Sequence, residues 1–119
     1  MTYSGELFRK YPELFWEPIP VDCLQGWYPI INRLCTKLVN GYREKYPPYG
    51  HGHGLKIIDI KEKFGELRVC VSTGWDWDYH LIEEALEESK KTCEICGMEG
   101  KIRGRKWYRT RCEAHKDEK

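Results

Sequence analysis

Chemistry concentrates near the C-terminus, where Thr92-Cys93-Glu94-Ile95-Cys96-Gly97 is followed, fifteen residues on, by Cys112-Glu113-Ala114-His115. A C-x2-C pair closed by glycine folds into a knuckle whose backbone N–H groups point at the sulfurs. Zinc takes four nitrogen or sulfur ligands at tetrahedral corners, and these two pairs supply Cys3His. A lone C-x2-C would equally suit a redox pair; the second pair at this separation selects metal. Four protein ligands leave no position open for water. The spacing therefore predicts one structural zinc per chain, held by Cys93, Cys96, Cys112 and His115.

The residues between the pairs suit a β-hairpin, with strands at 101–105 and 106–111 and a tight turn near Gly104. The second pair then falls at the start of a short helix running to Lys119. Knuckle, hairpin and helix make a treble-clef-like module over residues 92–119, joined without a linker to a body at 1–91. A module so joined is expected to pack on the body as one compact unit.

This hairpin is also basic. Lys101, Arg103, Arg105, Lys106, Arg109 and Arg111 fall within eleven residues, with Trp107 and Tyr108 among them, and Glu99 is the one acid between Gly97 and Arg111. Cations interleaved with aromatic planes bind phosphates and stack bases, so Lys101, Arg103, Arg105, Lys106, Trp107, Tyr108 and Arg109 form a candidate nucleic-acid or nucleotide site. The competing reading makes the hairpin a solvated surface. Trp107 then plugs the seam to the core, and the arginines pair with the glutamates of residues 83–88.

Two further clusters carry chemistry. His51-Gly52-His53 would place both imidazoles on one side of an extended segment, and Asp76, Asp78 and His80 alternate, so an extended backbone would align them too. Together they sketch a hydrolytic metal centre. Against this, Asp78 suits the cap of the following helix, which needs an acceptor for its free N–H groups. No Ser/His/Asp or Cys/His nucleophile set and no phosphate-cradling glycine loop accompanies them, so a binding protein is expected rather than an enzyme.

Composition bounds the rest. At 119 residues, with 40% hydrophobic and 33% charged residues, the chain can build one modest core. Thirteen per cent aromatics argues against disorder, and a net charge of +1 predicts no strong overall pull toward nucleic acid or membrane. Met1-Thr2-Tyr3-Ser4 lacks the basic start of a signal peptide, and no apolar run is long enough to span a membrane. Three of the six cysteines belong to the metal. Cys23, Cys35 and Cys70 stand in apolar surroundings and are expected reduced and mostly buried, which fits a reducing cytoplasm.

The elements that must position these groups follow from periodicity. Residues 4–16 read as a short helix broken at Pro12, and Glu17-Pro18-Ile19-Pro20 as an extended linker. Trp27, Ile30, Ile31, Leu34, Cys35, Leu38 and Tyr42 recur at the 3.6-residue period of a long helix ending before Pro47. Residues 47–54 read as loop. Leu55–Lys63 and Glu66–Thr73 read as strands joined at Phe64-Gly65, where Leu67, Val69 and Val71 alternate with Arg68, Cys70 and Ser72. Lys61, Glu62, Lys63 and Arg68 ring that turn; Phe64 is either core or part of an interaction surface. A second helix is expected from about Tyr79 to Lys91. The fold class is α+β: helices packed on a small antiparallel sheet, with the zinc module at the C-terminus.

Gly26-Trp27-Tyr28, the run from Lys61 through Lys63-Phe64-Gly65 to Arg68, Cys93-x-x-Cys96-Gly97 and Cys112-x-x-His115 stand together in this order. From about residue 22 onward the chain thereby resembles a group of small, functionally uncharacterised bacteriophage and prophage proteins. The resemblance implies phage or prophage origin, hence the cytoplasm of a bacterial host, and zinc. His51, His53 and Asp76-Trp77-Asp78 lie outside the shared pattern. Two binding functions follow: nucleic acid or a nucleotide at the basic hairpin, or a host or defence protein engaged by the aromatics and the Phe64 turn.

Overall fold

The computed structural model describes residues 3–45 and 55–117. The N-terminal segment is helix α1 (Tyr3–Lys10) and a 3-10 turn at Pro12–Leu14, broken where Pro12 removes a donor. A short strand β1 (Val21–Asp22) and a 3-10 turn (Gln25–Trp27) lead into the long helix α2 (Tyr28–Lys45). Then come β2 (Ile57–Lys63), β3 (Glu66–Val71) and α3 (Asp76–Ser89). The C-terminal segment holds β4 (Lys101–Arg103), β5 (Arg109–Arg111) and a 3-10 turn at Glu113–His115. The protein is α+β, with helices packed on small sheets. The expected loop at 47–54, with His51 and His53, lies outside the described residues.

The apolar stripe of α2 does what its period requires. Ile30, Ile31, Leu34, Cys35 and Leu38 are all buried, meeting Leu7, Tyr11, Leu14 and Phe15 on one side and Leu55, Ile57, Ile60 and Leu67 of the sheet segment on another. Leu81 and Ala85 of α3 close the core. Burial of such side chains is worth about 1.5–3 kcal/mol each before entropy is charged against it.

β2 and β3 pair antiparallel, with Ile60 opposite Val69 and Lys63 opposite Glu66. A register irregularity between Ile57 and Asp59 puts Ile57 and Ile60 on the same inner face, three residues apart, while Ile58 turns outward. A β-bulge is the device that converts period two into that spacing. The linker reading of 17–20 stops short of β1, which pairs parallel with β2 through Val21 opposite Ile60 and Asp22 opposite Lys61, making three strands in the order β1-β2-β3.

Three expectations are corrected here. α3 begins at Asp76, three residues earlier than expected, because the Asp78 carboxylate accepts the Trp75 backbone N–H at 2.8 Å and closes the helix start. Cys70 is exposed rather than buried; it sits on β3 between Val69 and Val71, whose side chains pack against the core, so strand parity turns it outward. Cys23 is half-buried and Cys35 buried, and burial pushes both thiols up to about 12. Finally, the acids of α3 pair with α2, not with the hairpin: Arg33 with Glu88, and Lys37 with Glu84 at 4.0 Å.

The C-terminal segment is tied to the body by hydrogen bonds on two sides. Gly26 N–H donates to the Glu94 carbonyl at 2.7 Å and Trp27 Nε1 donates to the Thr92 carbonyl at 2.9 Å. Thr110 Oγ1 donates to the Gly65 carbonyl at 2.5 Å, and Arg109 pairs with Glu62 at 3.1 Å. At Gly26 a Cβ would fall 2.1 Å from the Cys93 carbonyl oxygen and 2.5 Å from the Glu94 carbonyl carbon. Those are backbone atoms and cannot swing aside. Gly26→Ala is expected to cost about 2–3 kcal/mol, the upper part of the usual overpacking range, with accelerated zinc loss. Gly74→Ala, whose Cβ meets side chains alone, the exposed Tyr79 ring at 3.2 Å and Asp78 Cβ at an ordinary 3.5 Å, serves as the control. Equal denaturation midpoints for the two variants would remove the packing argument.

Candidate metal centre

The metal ligands are brought together by two turns with different origins. Gly97, at φ 80°, lets the chain after Cys96 fold back so that Gly97 N–H donates to the Cys93 carbonyl at 2.9 Å, and Cys93 N–H donates to the Met98 carbonyl at 2.8 Å. The second pair rides on the 3-10 turn, where His115 N–H donates to the Cys112 carbonyl at 3.2 Å. The expected helix to Lys119 is, among the described residues, this single turn. β4 and β5 hold the two turns at a set distance, with Lys101 opposite Arg111 and Arg103 opposite Arg109. These strands are shorter than expected, and residues 104–108 form their connection. Gly104, at φ 110°, has no room for a Cβ, which would sit 2.2 Å from the Trp107 carbonyl oxygen.

One ligand atom from each of Cys93, Cys96, Cys112 and His115 lies within 4.8 Å of the others. Cys96 Sγ and Cys112 Sγ are 3.7 Å apart, and His115 Nδ1 is 3.2 Å from Cys112 Sγ and 3.7 Å from Cys93 Sγ. A tetrahedron with zinc–sulfur bonds of about 2.3 Å has sulfur–sulfur edges of ~3.8 Å, so the donor set fits the ion. Nδ1 is the imidazole nitrogen that faces the thiols. The four residues form a single structural zinc site.

Two of the three ligand thiols are lowered, while at Cys96 the Met98 backbone N–H opposes but contacts with Cys112 and Cys93 prevail and raise it. Burial opposes ionisation of Cys93, but backbone N–H groups of Cys96, Cys112 and Ile95 outweigh it and bring the thiol down to about 6. Cys112 is likewise lowered: burial opposes, while hydrogen bonds with His115 and Cys96 prevail. His115 is raised by its contacts with Cys112 and Cys93.

Immediately behind the knuckle lies a pair that the sequence reading missed. Glu94 and Arg111 are 2% and 1% exposed, and Arg111 donates to the Glu94 carboxylate at 2.6 Å. The same carboxylate oxygen accepts Thr110 N–H at 2.8 Å. Burial pushes the Glu94 carboxyl up, with Thr110 and Arg111 pulling it back. The only signal in the sequence is positional: an acid one residue past the first ligand, a base one residue before the third. A pocket of 240 Å³ lined by Asp22, Cys23, Leu24, Glu62, Glu94, Arg109 and Arg111 opens at this junction. Its charged walls are largely spent on the Glu94–Arg111 and Glu62–Arg109 pairs.

The basic hairpin is solvated, but the two contacts expected with that reading are not made. Trp107 is 78% exposed, so it plugs no seam. Arg103 pairs with Glu113 at 3.3 Å and Arg109 with Glu62, so neither reaches α3. Lys101, Arg105, Lys106 and Tyr108 are exposed, and the three cations have no acidic partner among the described residues.

The Asp76, Asp78 and His80 set is not brought together. All three are on α3, where successive residues turn by about 100°. Asp78 is fully buried in the first turn, where its carboxylate accepts the Trp75 N–H, whereas Asp76 and His80 are exposed and His80 contacts Glu84 at 2.9 Å. Among the described residues the zinc ligands form the one group of metal-binding type, and no helix is long and apolar enough to cross a membrane. Comparison with protein-family models, with curated proteins and with solved structures finds no match to this chain.

Proposed function

We propose that the protein is a non-enzymatic, zinc-stabilised accessory protein of phage type that binds nucleic acid or a nucleotide through its basic aromatic hairpin. The observation that carries this reading is Trp107, whose large ring stands 78% exposed next to Arg105 and Lys106, cations that have no acidic partner among the described residues. An aromatic residue that does not serve the core, set among Arg105, Lys106 and Tyr108, has the chemistry of base stacking beside phosphate contact. The succession of knuckle, hairpin and turn supports the treble-clef-like description. Zinc, in this reading, performs no chemistry: it holds β4 and β5 so that residues 104–108 project as a fixed tip.

The test is a salt titration of binding to a labelled oligonucleotide. Reversing Lys101, Arg105 or Lys106 should weaken binding and lower the salt slope by roughly one unit for each phosphate contact removed, whatever the base sequence. If a variant reversing all three binds as tightly as the parent at every salt concentration, the reading fails. The alternative, a host or defence protein as partner, draws on Trp16 and Met98, each 68% exposed. It predicts capture of one protein that persists at high salt.

A further inference from the structure

The tip of the β2–β3 hairpin presents an anomaly. Lys63 pairs with Glu66, leaving Phe64 and Gly65 as a two-residue turn, and both have positive φ, 56° and 78°. This is the backbone of a type I′ turn, whose first position suits asparagine, aspartate or glycine. Phe64 occupies it instead, in a left-handed conformation that a bulky side chain adopts only under constraint. Phe64 stays mostly exposed there, at 59%. Lys63 Nζ lies 5.6 Å from the centre of its ring. A residue that strains the turn without serving the core is best accounted for by what it presents outward.

The constraint comes from the zinc hairpin. Glu62 Oε2 accepts the Gly65 N–H at 2.7 Å, while Glu62 Oε1 receives Arg109 at 3.1 Å. Thr110 Oγ1 donates to the Gly65 carbonyl, and Gly65 packs so closely on the Tyr108–Arg109 backbone that a Cβ would meet it at 3.3 Å. The two turns therefore abut. Phe64 and Lys63 come from one; Arg105, Lys106, Trp107 and Tyr108 come from the other. Glu62 is consumed by Arg109, and Glu66 by Arg68 at 2.7 Å. The side chains that the two turns themselves leave at the surface are basic and aromatic, and Asp22 is the exposed acid beside the Glu62–Arg109 pair.

We infer that the paired hairpin tips form one composite site for single-stranded nucleic acid, in which Phe64 stacks a base beside those taken by Trp107 and Tyr108. The inference rests on the nucleic-acid reading of the zinc hairpin and narrows it. Exposed ring faces gain nothing from a duplex, whose bases show only their edges in the grooves. They are used by unstacked bases, with cations following the backbone.

The test compares parent, Phe64→Asn and Phe64→Leu as zinc-loaded full chains. Fluorescence anisotropy is read with oligo-dT, oligo-U and a duplex, each of about a dozen nucleotides. The parent is expected to bind one or both single strands about tenfold or more tighter than the duplex. Phe64→Asn should fit the turn better and melt no lower than the parent. It should nevertheless lose about tenfold in single-strand affinity, with an unchanged salt slope and unchanged duplex binding. Phe64→Leu should lose single-strand affinity as well, since it keeps apolar bulk without a ring face. Undiminished single-strand binding by Phe64→Asn overturns the composite site; if reversing Arg105 and Lys106 still weakens that binding, the broader nucleic-acid reading survives. A parent that binds neither strands nor duplex overturns both and leaves the protein partner in front.

Discussion

Removing zinc is expected to unfold the C-terminal segment and take much of the body's stability with it. Structural zinc contributes ~10–16 kcal/mol of apparent binding free energy at neutral pH in small modules, comparable to the ~5–15 kcal/mol that holds a whole domain. The two short strands β4 and β5 cannot replace that contribution. The loss should not stop at the tail. Trp27, fully buried at the start of α2, donates its indole N–H to Thr92, and Gly26 donates to Glu94 within the knuckle. When the knuckle opens, both donors lose their acceptors, and a buried unpaired donor costs about 1–3 kcal/mol. Cys96→Ser, or the parent with chelator, should melt at least ~10–20 °C below the zinc-loaded parent. Hydrogen exchange should rise at the Gly26 amide and the Trp27 indole N–H as well as in residues 92–117. Metal analysis should return one zinc per chain for the parent. An unshifted melting temperature, or a disulfide between Cys93 and Cys96, would falsify the structural-zinc assignment.

Breaking the Glu94–Arg111 pair should have the largest effect of any change that spares the ligands. Arg111→Met leaves a carboxylate 2% exposed without its cation, and removal of one partner from a buried pair costs about 3–5 kcal/mol. Glu94→Gln combined with Arg111→Met removes both charges yet keeps an acceptor for Thr110 N–H. It should recover about half of that loss, because no unpaired charge remains. The pH dependence has a definite sign. Burial raises the Glu94 carboxyl in the folded chain, and loss of Arg111 raises it further. The folded state then holds a proton that the unfolded state has released, so the stability of Arg111→Met should fall as pH rises above the ordinary carboxylate range. The double variant should lack that slope. Urea midpoints at several pH values, with zinc content checked at each, provide the measurement. A single variant no worse than the double would show that the charge is not the issue.

Much of the architecture was readable from local spacing. The stripe from Trp27 to Leu38 defined α2 because a helix buries one face, and period alone identifies that face. The alternation after Gly65 defined β3, and the ligand spacing defined the metal site, since all four donors come from two tight turns whose reach the chain dictates. Phe64-Gly65 also carried a hidden signal: a two-residue connection between antiparallel strands favours a primed turn with positive φ at its first position, and Phe64 adopts it.

Partners, by contrast, were decided by tertiary structure. The two residues of β1 are too few to show a period, and their parallel match to Ile60 and Lys61 lies across the whole of α2. Asp76, Asp78 and His80 alternate in sequence, yet Asp78 closes a helix start, so alternation in sequence did not become alternation in space. The arginines of the zinc hairpin and the glutamates of α3 are near in sequence but turn to other partners: Arg109 to Glu62, Arg111 to Glu94, Glu88 to Arg33. Local pattern sets which face of an element is apolar. Which charge meets which depends on how those elements are laid against one another, and only packing of the whole chain sets that.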